Sequence, residues 1–185
     1  IPVAYMLGTF PSAVLIARSR GIDITSSGSG NPGASNVGRL LGRKLGILVF
    51  VLDGLKGAVS VGIGFWIAGY AGALALACAA VVGHVFPVTR KFKGGKGVAS
   101  GGGGMFVLFP LTSLVLFSSW FVLTKATHKA SIASLTISIA LPFGIYYEGA
   151  ETWEIAATLA LVGFIIVKHL PNLRRLKTHE EPDII

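Results

Sequence analysis

The sequence predicts an all-α fold, a polytopic membrane bundle of about seven transmembrane helices, and three observations carry that expectation. Of its 185 residues, 52% are hydrophobic and only 13% charged, about half the charged share of a soluble domain. Mean hydropathy is +0.73, and the apolar residues come in runs that approach the roughly 20 helical residues needed to cross about 30 Å of hydrocarbon. Basic residues cluster between alternate runs, which gives the chain an orientation.

Clear spans are expected at residues 2–17, 45–68, 71–88, 130–147 and 152–168. The stretch "VASGGGGMFVLFPLTSLVLFSSWFVLT", residues 98–124, reads either as one long span or as two short ones broken at Phe109 and Pro110. Proline lacks an amide donor and disfavours helix in the residue before it. Charge decides between the two. With the break, and with the N-terminus outside and the C-terminus cytoplasmic, Arg18, Arg20, Arg39, Arg43 and Lys44 share one inner loop. Arg90, Lys91, Lys93 and Lys96 fall in the next, Lys125 and Lys129 in a third, and Lys168, Arg174, Arg175 and Lys177 in the tail. Fifteen of the sixteen basic residues then lie inside, and Glu148, Glu151 and Glu154 lie outside. A single span would invert everything after it, so the positive-inside rule favours seven crossings. Residues 98–109 would cover only about 18 Å as helix, which points to a short or partly re-entrant segment buried against protein. The glycine run 101–104 fits close helix approach or a broken helix, and equally a plain small-residue packing face. No internal repeat or soluble domain interrupts the pattern, so residues 1–185 read as one transmembrane domain.

Several function classes drop out. Gly28, Gly30 and Gly33 satisfy GxGxxG, but no strand precedes them and a helical membrane bundle offers no parallel sheet, so a dinucleotide fold is excluded. The net charge of +8 reports membrane orientation rather than a nucleic-acid partner. Cys78 sits inside "GALALACAAVV" and reads as a packing residue. No Cys/His spacing suits a metal, and the first residues lack the charged region and cleavage site of a signal peptide.

Three polar segments remain. "GSGNPGASNVGR", residues 28–39, combines glycines whose backbone amides can turn toward an anion with Ser29, Asn31, Ser35 and Asn36 as neutral donors. Arg39 adds a planar fork suited to phosphate. The plainer reading, a turn that links two helices, stays open. "GHVFPVTRKFKGGKGVAS", residues 83–100, places Lys93 and Lys96 around Gly94, Gly95 and Gly97 where a helix is expected to start. It is not a Walker A loop, because glycine follows Lys96 where a hydroxyl should stand; the alternative is a basic surface attracted to anionic lipid heads. "VKHLPNLRRLKTHEE" closes the last span. Arg174, Arg175 and Lys177 read as a basic stop-transfer end, whereas His169 and Asn172, spaced i, i+3 on one face, could orient a hydroxyl or carry a proton. Within the second span, Asp53 and Lys56 also share a face, as a structural or a substrate-coupled pair; a Lys56 near the cytoplasmic end could reach a phosphate. All three segments are expected at the cytoplasmic rim. An oily bundle with a phosphate-binding rim implies an amphiphilic substrate, a fatty chain that carries or receives a phosphorylated head group. A transporter of phosphorylated solutes is the rival reading, but a carrier needs midplane groups reachable from both sides.

"GSGNPGASNVGR", "LDGLKG", "GHVFPVTRKFKGGKGVAS" and "KHLPNLRRL", in this order, resemble the bacterial membrane-embedded acyl-phosphate:glycerol-3-phosphate acyltransferase family over nearly the whole chain. The resemblance implies transfer of a fatty acyl group from acyl phosphate to the sn-1 hydroxyl of glycerol 3-phosphate, giving lysophosphatidic acid and inorganic phosphate, the first step of phospholipid synthesis. It implies a multi-pass protein of the bacterial inner membrane with its active site on the cytoplasmic side, no cofactor, metal or nucleic acid, and no obligate protein partner. The implied catalytic set is Ser29, Arg39, Lys96, His169 and Asn172. Gly28, Gly30, Asn31, Gly33, Ser35, Asn36, Lys56, Lys93, Gly94, Gly95, Gly97 and Glu181 would contact substrate. One departure stands out: the family continues its third motif with leucine, glycine and glutamate, and this chain has "KTHEE", with His179 in place of the glycine and Glu181 as the equivalent glutamate.

Overall fold

A computed structural model describes residues 1–184, and every regular element among them is helical. The helices are α1 (Pro2–Gly8), α2 (Ser12–Arg18), α3 (Ala34–Leu41), α4 (Arg43–Val85), α5 (Val98–Leu108), α6 (Pro110–Thr127), α7 (Ala130–Tyr147) and α8 (Thr152–Lys177), with a short 3-10 turn at Val88–Arg90. By length and apolar content, the segment Arg43–Arg90, α7 and α8 suffice to cross a membrane. The contacts group the chain into two compact units, Ile1–Leu108 and Phe109–Ile185.

In the first unit the expected span at 2–17 is two helices. Pro11 cannot donate an amide and disfavours helix at Phe10, so α1 ends at Gly8 and α2 restarts at Ser12. The Phe10 carbonyl at the break accepts a hydrogen bond from Lys56 Nζ at 3.2 Å. The polar loop that follows ends in α3 rather than running on to the next span.

Helix α4 contains the expected span 45–68 and most of 71–88, ending three residues short of the latter at Val85. Ala68 and Gly69 leave helical geometry, and the limbs 43–67 and 70–85, about 37 and 24 Å long at 1.5 Å per residue, fold back on each other. A methyl on Gly64 would stand 2.5 Å from the Ala73 Cα, two positions that a straight helix would hold about 13 Å apart. Glycine also sets the approach of neighbouring helices. A methyl on Gly57 would lie 2.0 Å from the Ser100 carbonyl oxygen, one on Gly103 2.0 Å from that of Gly54, and one on Gly8 2.2 Å from that of Ala80. Between helices in lipid, where apolar burial drives little, such backbone contact is the main source of association. The run 101–104 is therefore a packing face within the unbroken helix α5.

In the second unit the break at Phe109 and Pro110 is present, and Pro110 opens α6. Glu148 accepts the first-turn amides of Leu111 at 3.3 Å and Thr112 at 2.8 Å, placing a negative charge at the positive end of α6. Helix α6 has 18 residues, but Thr112, Ser113, Ser118, Ser119 and Lys125 dilute its apolar character. Ser118 and Ser119 donate to carbonyls one turn back in their own helix. Helix α8 starts with a capping box from Glu151 and Glu154 and runs to Lys177, nine residues past the expected end.

Candidate active site

Asn36 organises the first polar loop. It is buried, and its Oδ1 accepts the Ser29 amide at 3.0 Å while its Nδ2 donates to the Ser27 carbonyl at 3.0 Å and the Ile24 carbonyl at 3.5 Å. Arg39, one turn along α3, donates from Nη2 to the Ser29 hydroxyl at 3.3 Å and to Asn36 Oδ1 at 3.5 Å. Gly28 has φ +58, and a side chain there would meet Asn36 Oδ1 at 2.4 Å, so glycine is what lets the loop wrap the amide. Ser29, Asn36 and Arg39 thus form one cluster. Asn31, Gly33 and Ser35 are half-buried beside it.

Four of the glycine amides are bonded within the protein: Gly30 N–H donates to the Ser27 carbonyl, Gly33 to Asn31, Gly94 to Val85 and Gly95 to His84. The side chains these loops offer an anion are the Ser29 hydroxyl, the Arg39 guanidinium, and the ammonium groups of Lys93, which is exposed, and Lys96, which is half-buried. Lys96 stands two residues before the start of α5, so its charge adds to that of a helix N-terminus.

Asp53 and Lys56 pair as the spacing suggested, at 2.8 Å, and both are buried. The sequence reading missed two partners of Asp53: Ser12, whose hydroxyl donates to Oδ1 at 2.6 Å, and His84, whose Nδ1 lies 3.6 Å away. They are 41 and 31 residues distant in sequence, so no local pattern could have marked them. An open apolar cleft of about 1000 Å³ runs along α1 and α2, with Lys56, Arg18 and Arg90 supplying its cations. A small void lined by Pro32, Asp53, Lys56, His84, Pro87 and Gly95 puts the first loop, both limbs of α4 and the second loop side by side.

In the second unit His169 and Asn172 are both buried on one face of α8. His169 Nδ1 lies 2.8 Å from the Ile165 carbonyl, and since a carbonyl only accepts, Nδ1 is the donor. Asn172 Nδ2 donates to Glu181 Oε1 at 2.6 Å, and Arg175 Nε to Glu181 Oε2 at 2.8 Å. Glu181 thus holds Asn172 with one oxygen and Arg175 with the other. Burial raises the Glu181 pKa, but the hydrogen bonds from Asn172 and Arg175 outweigh it and hold the carboxyl below the usual glutamate range. Arg175, read from the sequence as a stop-transfer residue, belongs to this cluster. The tail is further tied by Lys129, which binds the Glu181 carbonyl and Asp183, and by Ile184 N–H on the His128 carbonyl. His179 has φ +58, a conformation that glycine adopts freely and other residues rarely. That accounts for the glycine the resemblance led us to expect there.

Apolar helices, polar clusters and paired charges buried among them define a membrane-embedded protein with the groups to handle a phosphorylated substrate. Comparison with known proteins identifies which kind. Residues 1–179 match the family described as glycerol-3-phosphate acyltransferase. The glycerol-3-phosphate acyltransferase of Syntrophotalea carbinolica is 40% identical over 181 residues, covering 96% of this chain and 92% of the relative, and that of Aquifex aeolicus is 37% identical over 96% and 94%. Among solved structures, the integral membrane glycerol 3-phosphate acyltransferase PlsY (YgiH) in its glycerol 3-phosphate form superposes with a TM-score of 0.93 at 36% identity, over 98% of this chain and 92% of that one. The lysophosphatidic acid form gives 0.89. The chain belongs to the glycerol-3-phosphate acyltransferase family and is an acyltransferase.

Proposed function

We propose that the whole chain acts as one domain that transfers a fatty acyl group from acyl phosphate to the sn-1 hydroxyl of glycerol 3-phosphate, giving lysophosphatidic acid and inorganic phosphate. The observation that carries the reading is the Arg39 guanidinium on the Ser29 hydroxyl, a phosphate-type donor fork beside a neutral group that can position an alcohol. Solved relatives in glycerol 3-phosphate and lysophosphatidic acid forms support the acceptor and product.

The chemistry asks little of the protein. Acyl phosphate is an activated mixed anhydride, so the glycerol hydroxyl oxygen attacks the acyl carbon directly, the bond from that carbon to the phosphate oxygen breaks, and the hydroxyl proton ends on the released phosphate. Neither a covalent nucleophile nor a metal is required for this displacement. Positioning two phosphate-bearing substrates and neutralising their charge remain, and such positioning is worth up to about 7 to 11 kcal/mol. Arg39, Lys96 and Lys56 are assigned to phosphate, Ser29 and His169 to orienting the hydroxyl, and Asn172 to the same polar contact as His169. Seven crossings, a cytoplasmic C-terminus, a site opening to the cytoplasm and a place in the bacterial inner membrane belong to the proposal through the distribution of basic residues.

The test is phosphate release from acyl phosphate with and without glycerol 3-phosphate. Wild type is expected to release phosphate only with the acceptor present, in sequential rather than ping-pong kinetics, and Ser29→Ala and Lys96→Ala are expected to lower that rate. Accumulation of a covalent acyl-enzyme overturns the direct displacement. Absence of acceptor-dependent release overturns the choice of donor.

A further inference from the structure

Asp53 is 2% exposed, lies within the long apolar helix α4 and has no role in the chemistry above. It is also the centre of the buried cluster: its Oδ1 takes the Ser12 hydroxyl and the Lys56 ammonium and faces His84 Nδ1. Each partner leads outward to a different part of the first unit. Ser12 opens α2 just past the proline break, and Lys56 binds the carbonyl freed by that break and lines the apolar cleft. His84 packs its ring on the second loop: a methyl on Gly95 would stand 2.1 Å from Nε2, and the Gly95 amide donates to the His84 carbonyl at 3.1 Å. Gly95 is the residue next to Lys96.

Stability alone does not account for this arrangement. A buried ion pair is commonly no more stabilising than a well-packed apolar pair of the same volume, whereas removal of one member leaves a costly lone charge. What the carboxylate adds is fixed geometry, because the Ser12 hydroxyl and the Lys56 ammonium must meet one oxygen with the His84 ring 3.6 Å from it.

We propose that Asp53 is a positioning residue for acyl transfer, fixing the Lys56 ammonium on the wall of the cleft and, through His84, the loop 94–97 that carries Lys96. The inference rests on the reading that these lysines hold substrate phosphate. Asp53→Asn keeps the side-chain shape and removes the charge. It is expected to raise KM for glycerol 3-phosphate at least tenfold while kcat stays within threefold, and His84→Gln is expected to shift the same constant in the same direction. A purely structural role behaves differently: it lowers the active fraction, so apparent kcat falls and KM does not move. His84→Gln serves also where Asp53→Asn accumulates poorly, because it leaves the Asp53–Lys56 ion pair and both of the charges in place.

A KM within twofold of wild type in Asp53→Asn, or in His84→Gln where Asp53→Asn does not accumulate, overturns the proposal. Failure of the donor reading shows separately, as wild-type protein that turns over no acyl phosphate. Calorimetric titration of solubilised protein with glycerol 3-phosphate then decides for Asp53 alone. A tenfold weaker Kd in Asp53→Asn supports the positioning role, and an unchanged Kd overturns it.

Discussion

In the first unit a single amide side chain, Asn36, gathers a loop around itself. In the second, the polar side chains stand on one helix, and a carboxylate returning from the tail ties them in place. A loop carries backbone donors that must be satisfied, and those of Gly30, Gly33, Gly94 and Gly95 are satisfied within the protein, which leaves these four amides to hold the loops. The helix α8 has its own backbone satisfied already, but the long side chains of Asn172 and Arg175 need an outside anchor, and Glu181 provides it. Loop-built and helix-built clusters therefore fail differently: the first by loosening of backbone, the second by release of the tail.

The largest expected effect lies in the loop cluster. Arg39→Lys keeps the charge but removes the planar guanidinium, whose Nη2 serves both Ser29 and Asn36 and whose other nitrogens suit a phosphate. A loss of about 100- to 1000-fold in kcat/KM, or about 2.7 to 4 kcal/mol, is expected from steady-state phosphate release. Asn36→Ala comes next. It strands the groups the amide now binds, at about 1 to 3 kcal/mol, and hydrogen exchange should speed up across residues 25–33 while α8 is unaffected. Equal acceleration in α8 would erase the contrast between the clusters.

The tail comes third. Glu181→Gln keeps the shape but weakens two charge-assisted bonds, which are about twice as strong as neutral ones, so roughly tenfold faster proteolysis within residues 178–184 is expected. The wild-type tail should respond to acid. The Glu181 carboxyl is held below its usual range, so the folded state binds fewer protons than the unfolded one. Its contribution is complete above about pH 4.3 and is lost as pH falls through the lower folded value. Wild-type tail proteolysis should rise in that acid window, and that of Glu181→Gln should rise less, because only the Lys129–Asp183 pair is then left to titrate. The smallest effect is a gain. His179→Gly removes a left-handed non-glycine residue, and the tail should become more protected by about 1 kcal/mol in hydrogen exchange.

Sequence reasoning saw the elements that announce themselves locally. The run 130–147 is bounded by polar loops and is α7 to the residue, the break at Phe109 follows from Pro110, and the spacing of Asp53 and Lys56 is a pair. Pro11 was overlooked because the residues on both sides are apolar enough to read as one span. The amides of the glycine loops looked available because a sequence shows donors without the carbonyls that fold onto them. Ser12, His84 and Glu181 could not be paired with Asp53 and Asn172 from spacing, since a turn or a whole helix separates each from its partner. The resemblance implied a set of site residues, and the structure shows which of them bind one another.

The glycine contacts of the first unit also bear on how this chain can change over generations. At Gly57 and Gly103 the neighbouring backbone lies where a methyl carbon would be, and every other amino acid carries at least that carbon. These positions have no permitted substitute unless two helices separate together. Sequence drift in this half of the protein must instead be absorbed by outward-facing apolar residues such as Leu55 and Val59, where one oily side chain can replace another without moving a backbone.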